Sequence, residues 1–95
     1  MAQVPISYHY DAEADVFSAW LRQPTEVLST EVSEGIVIRT DANTDEFVGY
    51  TIIDLSRQFS GIRPNELTIP LVPESTLGPL RAQLEALQPL MVGAA

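Results

Sequence analysis

Apolar and polar residues alternate from the start of the chain. In "ISYHYD", Ile6, Tyr8 and Tyr10 fall on one side and Ser7 and His9 on the other, the period of a half-buried strand. "VFSAWLR" follows after a short gap with Phe17, Ala19 and Leu21 on one side and Val16, Ser18 and Trp20 on the other. A strand apolar on both sides belongs in the interior of a sheet or under a cover. The two segments therefore predict a hairpin. Pro24 closes it, and "EVLSTEV" alternates loosely up to "SEG", where Gly35 can take the positive φ that a tight turn needs. "IVIRT" and "EFVGYTII" flank "DANTD" and read as a second hairpin. Gly49 inside the last of these strands marks a bulge or a close approach, for instance by a large side chain such as Trp20.

The period then changes. Asp54 stands where a helix N-cap would sit, with about one turn before Gly61. Pro64, Pro70, Pro73 and Pro79 punctuate a connector over 61–76, in which "ELTIPLV" reads as an edge strand because Pro70 cannot donate to an inner ladder. Leu77, Leu80, Leu84, Leu87 and Met91 recur at alternating steps of three and four, with Pro79 in the first turn and Pro89 ending the run. This predicts an amphipathic helix of about ten to twelve residues within 77–91, its apolar stripe packed on its own sheet or, alternatively, on a neighbouring copy or a partner. The pattern as a whole predicts one α+β domain over 1–95. Its core, residues 6–58, is a small antiparallel β-meander of four to five strands, and a C-terminal amphipathic helix covers one face.

Composition narrows the function more than the fold. The net charge is -8, and the first 54 residues carry all of the excess, with ten Asp and Glu against two Arg. Such a surface repels phosphate, so direct nucleic-acid binding is excluded as an expectation and a basic protein partner is favoured. Cysteine and lysine are absent, which removes disulfides, thiolate chemistry, Schiff bases and the phosphate-loop lysine together. A single histidine, His9, cannot build a multi-histidine metal site. The first residues show no charged and apolar leader, and no apolar run is long enough to span a bilayer. The chain is accordingly expected in the cytoplasm, without membrane contact and without a cofactor.

Carboxylates concentrate in "YDAEAD". Asp11 ends a strand, and its carboxylate can accept from the backbone N–H groups of Glu13 or Ala14 and close a single turn. Asp15 has no such local duty and would pair with Arg22 or Arg39 or stay in solvent. "DANTDE" places oxygen ligands at the first, third and fifth positions of a calcium loop, but Glu46 stands where Gly is needed and Ile52 where a bidentate Glu should close the site. A turn rich in Asp and Asn for backbone reasons is the better account.

"ISYHYDAEADVFSAWL" and "EGIVIRTDANTDEFVGYTIIDLS" together resemble the bacterial family called domain of unknown function 2283, over about residues 6–58. Tyr10, Asp11, Glu13 and Asp15 match its opening turn, and Val48, Gly49, Ile52, Ile53 and Asp54 match its second hairpin. Thr51 stands where the family often has Glu, and Asn43, Thr44 and Asp45 where it often has Asp-Gly. The resemblance implies a small β-rich fold with no assigned catalysis. Through members encoded beside small toxin-like proteins, it also implies an antitoxin-like role.

The expected function is that of a non-enzymatic, acidic protein-binding module that forms homo-oligomers. Tyr10, Asp11, Glu13, Asp15, Trp20, Gly49 and Asp54 are its candidate interaction or motif residues. One concrete version inhibits a small basic ribonuclease. The alternative is a small hydrolase or isomerase using His9 with Asp11 or Asp15 as general base.

Overall fold

The computed structural model describes residues 7–91, with side chains described through residue 87. Five strands, β1 (Ser7–Asp11), β2 (Val16–Trp20), β3 (Val27–Ser33), β4 (Ile36–Asp41) and β5 (Phe47–Ile53), form one antiparallel sheet in the order β1-β2-β5-β4-β3. β3, β4 and β5 follow one another as a meander. The β1–β2 hairpin joins it along β5, with Phe17 opposite Ile52 and Ala19 opposite Tyr50. β5 holds the centre because it has the most apolar surface to hide. Five of its seven residues are buried, in a run unbroken by any charge. Gly35, at φ 78, turns β3 into β4.

The α+β architecture is completed by α1 (Leu55–Gln58), two short 3-10 turns at Pro64–Glu66 and Glu74–Thr76, and α2 (Gly78–Met91). One sheet face, carrying Phe17, Ala19, Ile36, Ile38, Tyr50 and Ile52, forms a single core with Leu55, Phe59, Leu67, Ile69, Val72, Leu77, Leu80 and Leu84. The leucine stripe of α2 thus packs on its own sheet. Leu77, Leu80 and Leu84 are wholly buried, each contributing about 1.5 to 3 kcal/mol.

Two local readings change. "ELTIPLV" forms no strand: Leu67, Ile69 and Val72 point into the core from an irregular segment. Pro70 and Pro73 each remove a ladder donor and Leu71 adopts φ 71, which breaks the alternation and turns Val72 inward in its place without a partner strand. The segment's backbone is held by short local turns, Leu67 N–H to the Pro64 carbonyl at 3.2 Å and Val72 N–H to the Ile69 carbonyl at 3.1 Å, and two side chains tie the connector down. The Tyr50 hydroxyl donates to the Thr76 carbonyl at 2.9 Å, and the Arg81 guanidinium donates to the Leu67 carbonyl at 2.6 Å. The second change is that α2 runs past Pro89 to Met91. A proline there forfeits one helical hydrogen bond in the last turn, which does not stop the chain from staying helical. The expected contacts of Ile6 and of the Met91 side chain lie outside the described residues.

Candidate functional site

The acidic turn between β1 and β2 is built as its residue types require. The Asp11 carboxylate accepts from the N–H of Glu13 at 3.0 Å and of Ala14 at 3.1 Å, closing the turn as an Asx cap. Glu13 is exposed at its tip. Asp15 ends the turn in the left-handed region, φ 59, where Asp and Asn are the best tolerated of the residues with a Cβ. It pairs with neither Arg22 nor Arg39. Tyr10 donates its hydroxyl to Asp15 at 2.5 Å, and Ser56 donates its hydroxyl at 2.7 Å and its backbone N–H at 3.1 Å. Burial alone would push the Asp15 carboxyl up. The Tyr10 and Ser56 donors, helped by Arg57, outweigh it and hold the carboxyl below its ordinary value of 3.8. Burial and the same carboxylate push the Tyr10 hydroxyl up to about 12.

This arrangement reassigns the cap of α1. Asp54 does occupy the position before the helix, but at φ 58 its side chain makes no capping bond. Its carboxylate instead takes Arg57 at 2.7 Å in an exposed ion pair. The cap comes from Asp15, whose carboxylate receives Ser56 N–H and whose backbone carbonyl receives Leu55 N–H at 3.0 Å. Tyr10, Asp15 and Ser56 therefore clamp the first hairpin to the start of the covering layer.

Trp20 and Gly49 meet on the opposite sheet face. They are direct partners across β2 and β5. A Cβ on Gly49 would stand 2.5 Å from the Ala19 carbonyl oxygen and 3.2 Å from the Trp20 ring. The ladder to β4 also slips here, since Arg39 pairs Gly49 while Thr40 pairs Phe47. Both readings of this glycine, bulge and close approach, thus hold at one position. The Arg39 guanidinium lies 5.2 Å from the Trp20 ring centroid and donates to the hydroxyls of Ser29 and Thr51, both at 3.0 Å. Ser18 bonds Thr51 in the same row, at 3.1 Å. The sequence suggested Arg39 only as a partner for Asp15, not its place over the Trp20 ring.

The remaining carboxylates and His9 stand apart. Asp41 accepts from Asn43 N–H at 2.8 Å and pairs with Arg22 at 2.9 Å, and Arg22 also reaches Glu46 at 2.7 Å. The Asn43 N–H, more than the opposing burial, keeps Asp41 below its ordinary value, with Arg22 adding to it. An Asp already turned inward on an arginine is a scaffold group rather than a calcium ligand. Among the described residues no cluster of three acidic or histidine side chains could hold a metal. His9 pairs Ser18 on the Trp20 face and is exposed, whereas Asp15 is held beside Tyr10 on the core side. Among the described residues no hydrogen bond joins His9 to Asp11 or Asp15, whose carboxylates are bound as above.

A cleft of about 400 Å³ is lined by Leu21, Arg22, Glu46, Phe47, Pro73 and Ser75, and two smaller ones open elsewhere on the surface. One, of about 250 Å³, is lined by Glu34, Gly35, Ile53, Asp54, Arg57 and Gln58. The other, of about 330 Å³ and mainly apolar, lies against β3 and is lined by Thr30, Val32, Ile38, Phe47 and Leu71, with Thr40 and Asp45. No helix of the described residues is long and apolar enough to cross a membrane. Compared with protein-family models, with curated proteins and with solved structures, the chain matches none.

Proposed function

We propose that the chain is a non-enzymatic protein-binding module, working through the acidic sheet half of the molecule and its open strand edge. One observation carries the reading: the carboxylates that looked reactive are committed to the scaffold, while the sheet keeps one face and an edge free of the covering layer. Asp11 closes a turn, Asp15 caps α1 and Asp41 holds Arg22. The helices and the connector pack on the Phe17 face alone among the described residues. The exposed carboxylates of Glu13, Glu26, Glu31, Glu34, Asp45 and Glu46 suit a basic protein, while the open sheet face itself presents Trp20, Arg39 and a row of hydroxyls.

The concrete version, prompted by the family resemblance, is an antitoxin-like inhibitor of a small basic ribonuclease in the cytoplasm. Its test is affinity purification of the tagged chain from its own host at low and high salt, with the bound proteins identified. A basic protein retained at low salt and released at high salt is the expected result. Recovery of the chain with no other protein at either salt refutes the reading.

A further inference from the structure

We infer that β3 is a self-association edge: two copies pair antiparallel through it about a two-fold axis at Thr30 and form one continuous ten-stranded sheet. The inference rests on the protein-binding reading above and names a second copy of this chain as the occupant of its open edge.

β3 has a partner on one side only, β4. Its protection, one charge at Glu31 and a bulge at Glu31/Ser33, sits toward one end and leaves residues 27–30 uncharged. Leu28 is 51 % exposed on the strand itself. Beside it the apolar cleft of Thr30, Val32, Ile38, Phe47 and Leu71 opens on the same sheet face. Leu71, 77 % exposed, is held over the cleft in a left-handed conformation, φ 71, that residues with a Cβ rarely adopt. Strain that leaves a leucine in water is a reason to look for what covers it.

The register follows from parity and charge. A two-fold axis perpendicular to the sheet preserves its faces, so odd residues meet odd and even meet even. Centring on Glu31 would set that carboxylate against its own copy, which is destabilising. Centring on Ser29 would set Glu31 against Val27 and Leu28 against Thr30. Centring on Thr30 places Leu28 opposite Val32 of the second copy, at the mouth of its cleft, and Glu31 of the second copy opposite Ser29.

That last pair brings in an independent observation. Arg22, Arg57, Arg63 and Arg81 each have a carboxylate partner. Arg39 has none among the described residues, in a chain with thirteen Asp and Glu, and its Nε is buried without an acceptor. Its Nη1 already rests on Ser29. In the Thr30 register, Glu31 of the second copy lies one strand beyond Ser29, about 4.8 Å further. The Glu31 Oε2 already accepts from the Gly35 N–H at 3.1 Å, which leaves Oε1 to reach the guanidinium, so each copy would neutralise the other's open arginine. The bulge at Glu31/Ser33 limits the new ladder to about five residues a side, centred on Thr30.

The absence of cysteine gives a clean test. The variants Thr30→Cys and, on the other sheet edge, His9→Cys are oxidised or treated with a short thiol cross-linker, and wild type is sized by native mass and light scattering across micromolar concentrations. A dimer is expected, with Thr30→Cys trapped covalently and His9→Cys not. Leu28→Glu, at an exposed position, should leave the circular dichroism spectrum intact, remove the concentration dependence of the melt and weaken the dimer at least about a hundredfold, since each substitution acts twice across the axis. A wild-type monomer at about 100 μM, a dimer indifferent to Leu28→Glu, or trapping through His9 instead of Thr30 overturns the inference. A monomer that still captures a basic protein from its host defeats the self-pairing alone. A β3 dimer that captures nothing defeats the foreign-partner reading alone.

Discussion

Replacing Asp15 by Asn tests whether this carboxylate is the clamp between the first hairpin and α1. Asn tolerates the left-handed backbone at φ 59 and keeps one acceptor oxygen, so the change removes charge without disturbing the turn. Three donors converge on the wild-type carboxylate: the Tyr10 hydroxyl at 2.5 Å, the Ser56 hydroxyl at 2.7 Å and the Ser56 N–H at 3.1 Å. A hydrogen bond to a charged acceptor contributes about 1 kcal/mol more than a neutral one. Two hydroxyl bonds weakened in this way predict a loss of about 1 to 2 kcal/mol for Asp15→Asn. Asp15→Ala removes every acceptor and adds the left-handed penalty, for a loss of about 2 to 4 kcal/mol.

Urea unfolding at neutral pH reads these differences directly, and melting falls by about 4 to 8 °C for each kcal/mol in a domain of this size. The pH dependence separates charge from packing. Because the folded Asp15 carboxyl lies below its ordinary 3.8, its contribution is present above that value and is lost as pH falls through the folded value. Wild type and Asp15→Asn should therefore converge in acid. Equal stabilities at neutral pH, or a gap that persists unchanged well below pH 4, would refute the account of Asp15 as a charged cap.

Three further outcomes follow from other parts of the fold. Asp54→Gly should leave stability unchanged or raise it, since its side chain caps nothing, its ion pair with Arg57 is exposed and glycine suits φ 58; a loss above about 1 kcal/mol in urea would restore Asp54 as the cap. Gly49→Ala should cost about 1 to 3 kcal/mol and shift Trp20 fluorescence, because the added methyl meets the Ala19 carbonyl and the indole ring. For Tyr10, a folded value raised from 10.0 to about 12 means stability that is full below pH 10 and declines as pH rises through about 12. Tyr10→Phe should flatten part of that alkaline decline in urea titrations, leaving the part due to Tyr50, which burial also pushes upward.

What the sequence determined by itself is local. Strand positions follow from alternation of period two, the β3–β4 turn from Gly35, and the closure of "YDAEAD" from an aspartate that reaches the N–H groups two and three residues on. The leucine stripe of α2 likewise reports its buried face, because the helix repeat depends on neighbours three and four apart. Each of these is decided within one turn or one hairpin. Tertiary structure decided whatever joins residues distant in the chain. β2 lies beside β5, Asp15 caps a helix 41 residues away, and Arg39 lies over Trp20 beside a hydroxyl row. Leu67, Ile69 and Val72 enter the core without forming the expected strand. An acceptor such as Asp15 or a cation such as Arg39 can satisfy its hydrogen bonds and charge in several ways of similar energy, and no residue beside it in sequence selects one. The packing of the apolar face selects, by fixing which distant groups arrive within reach.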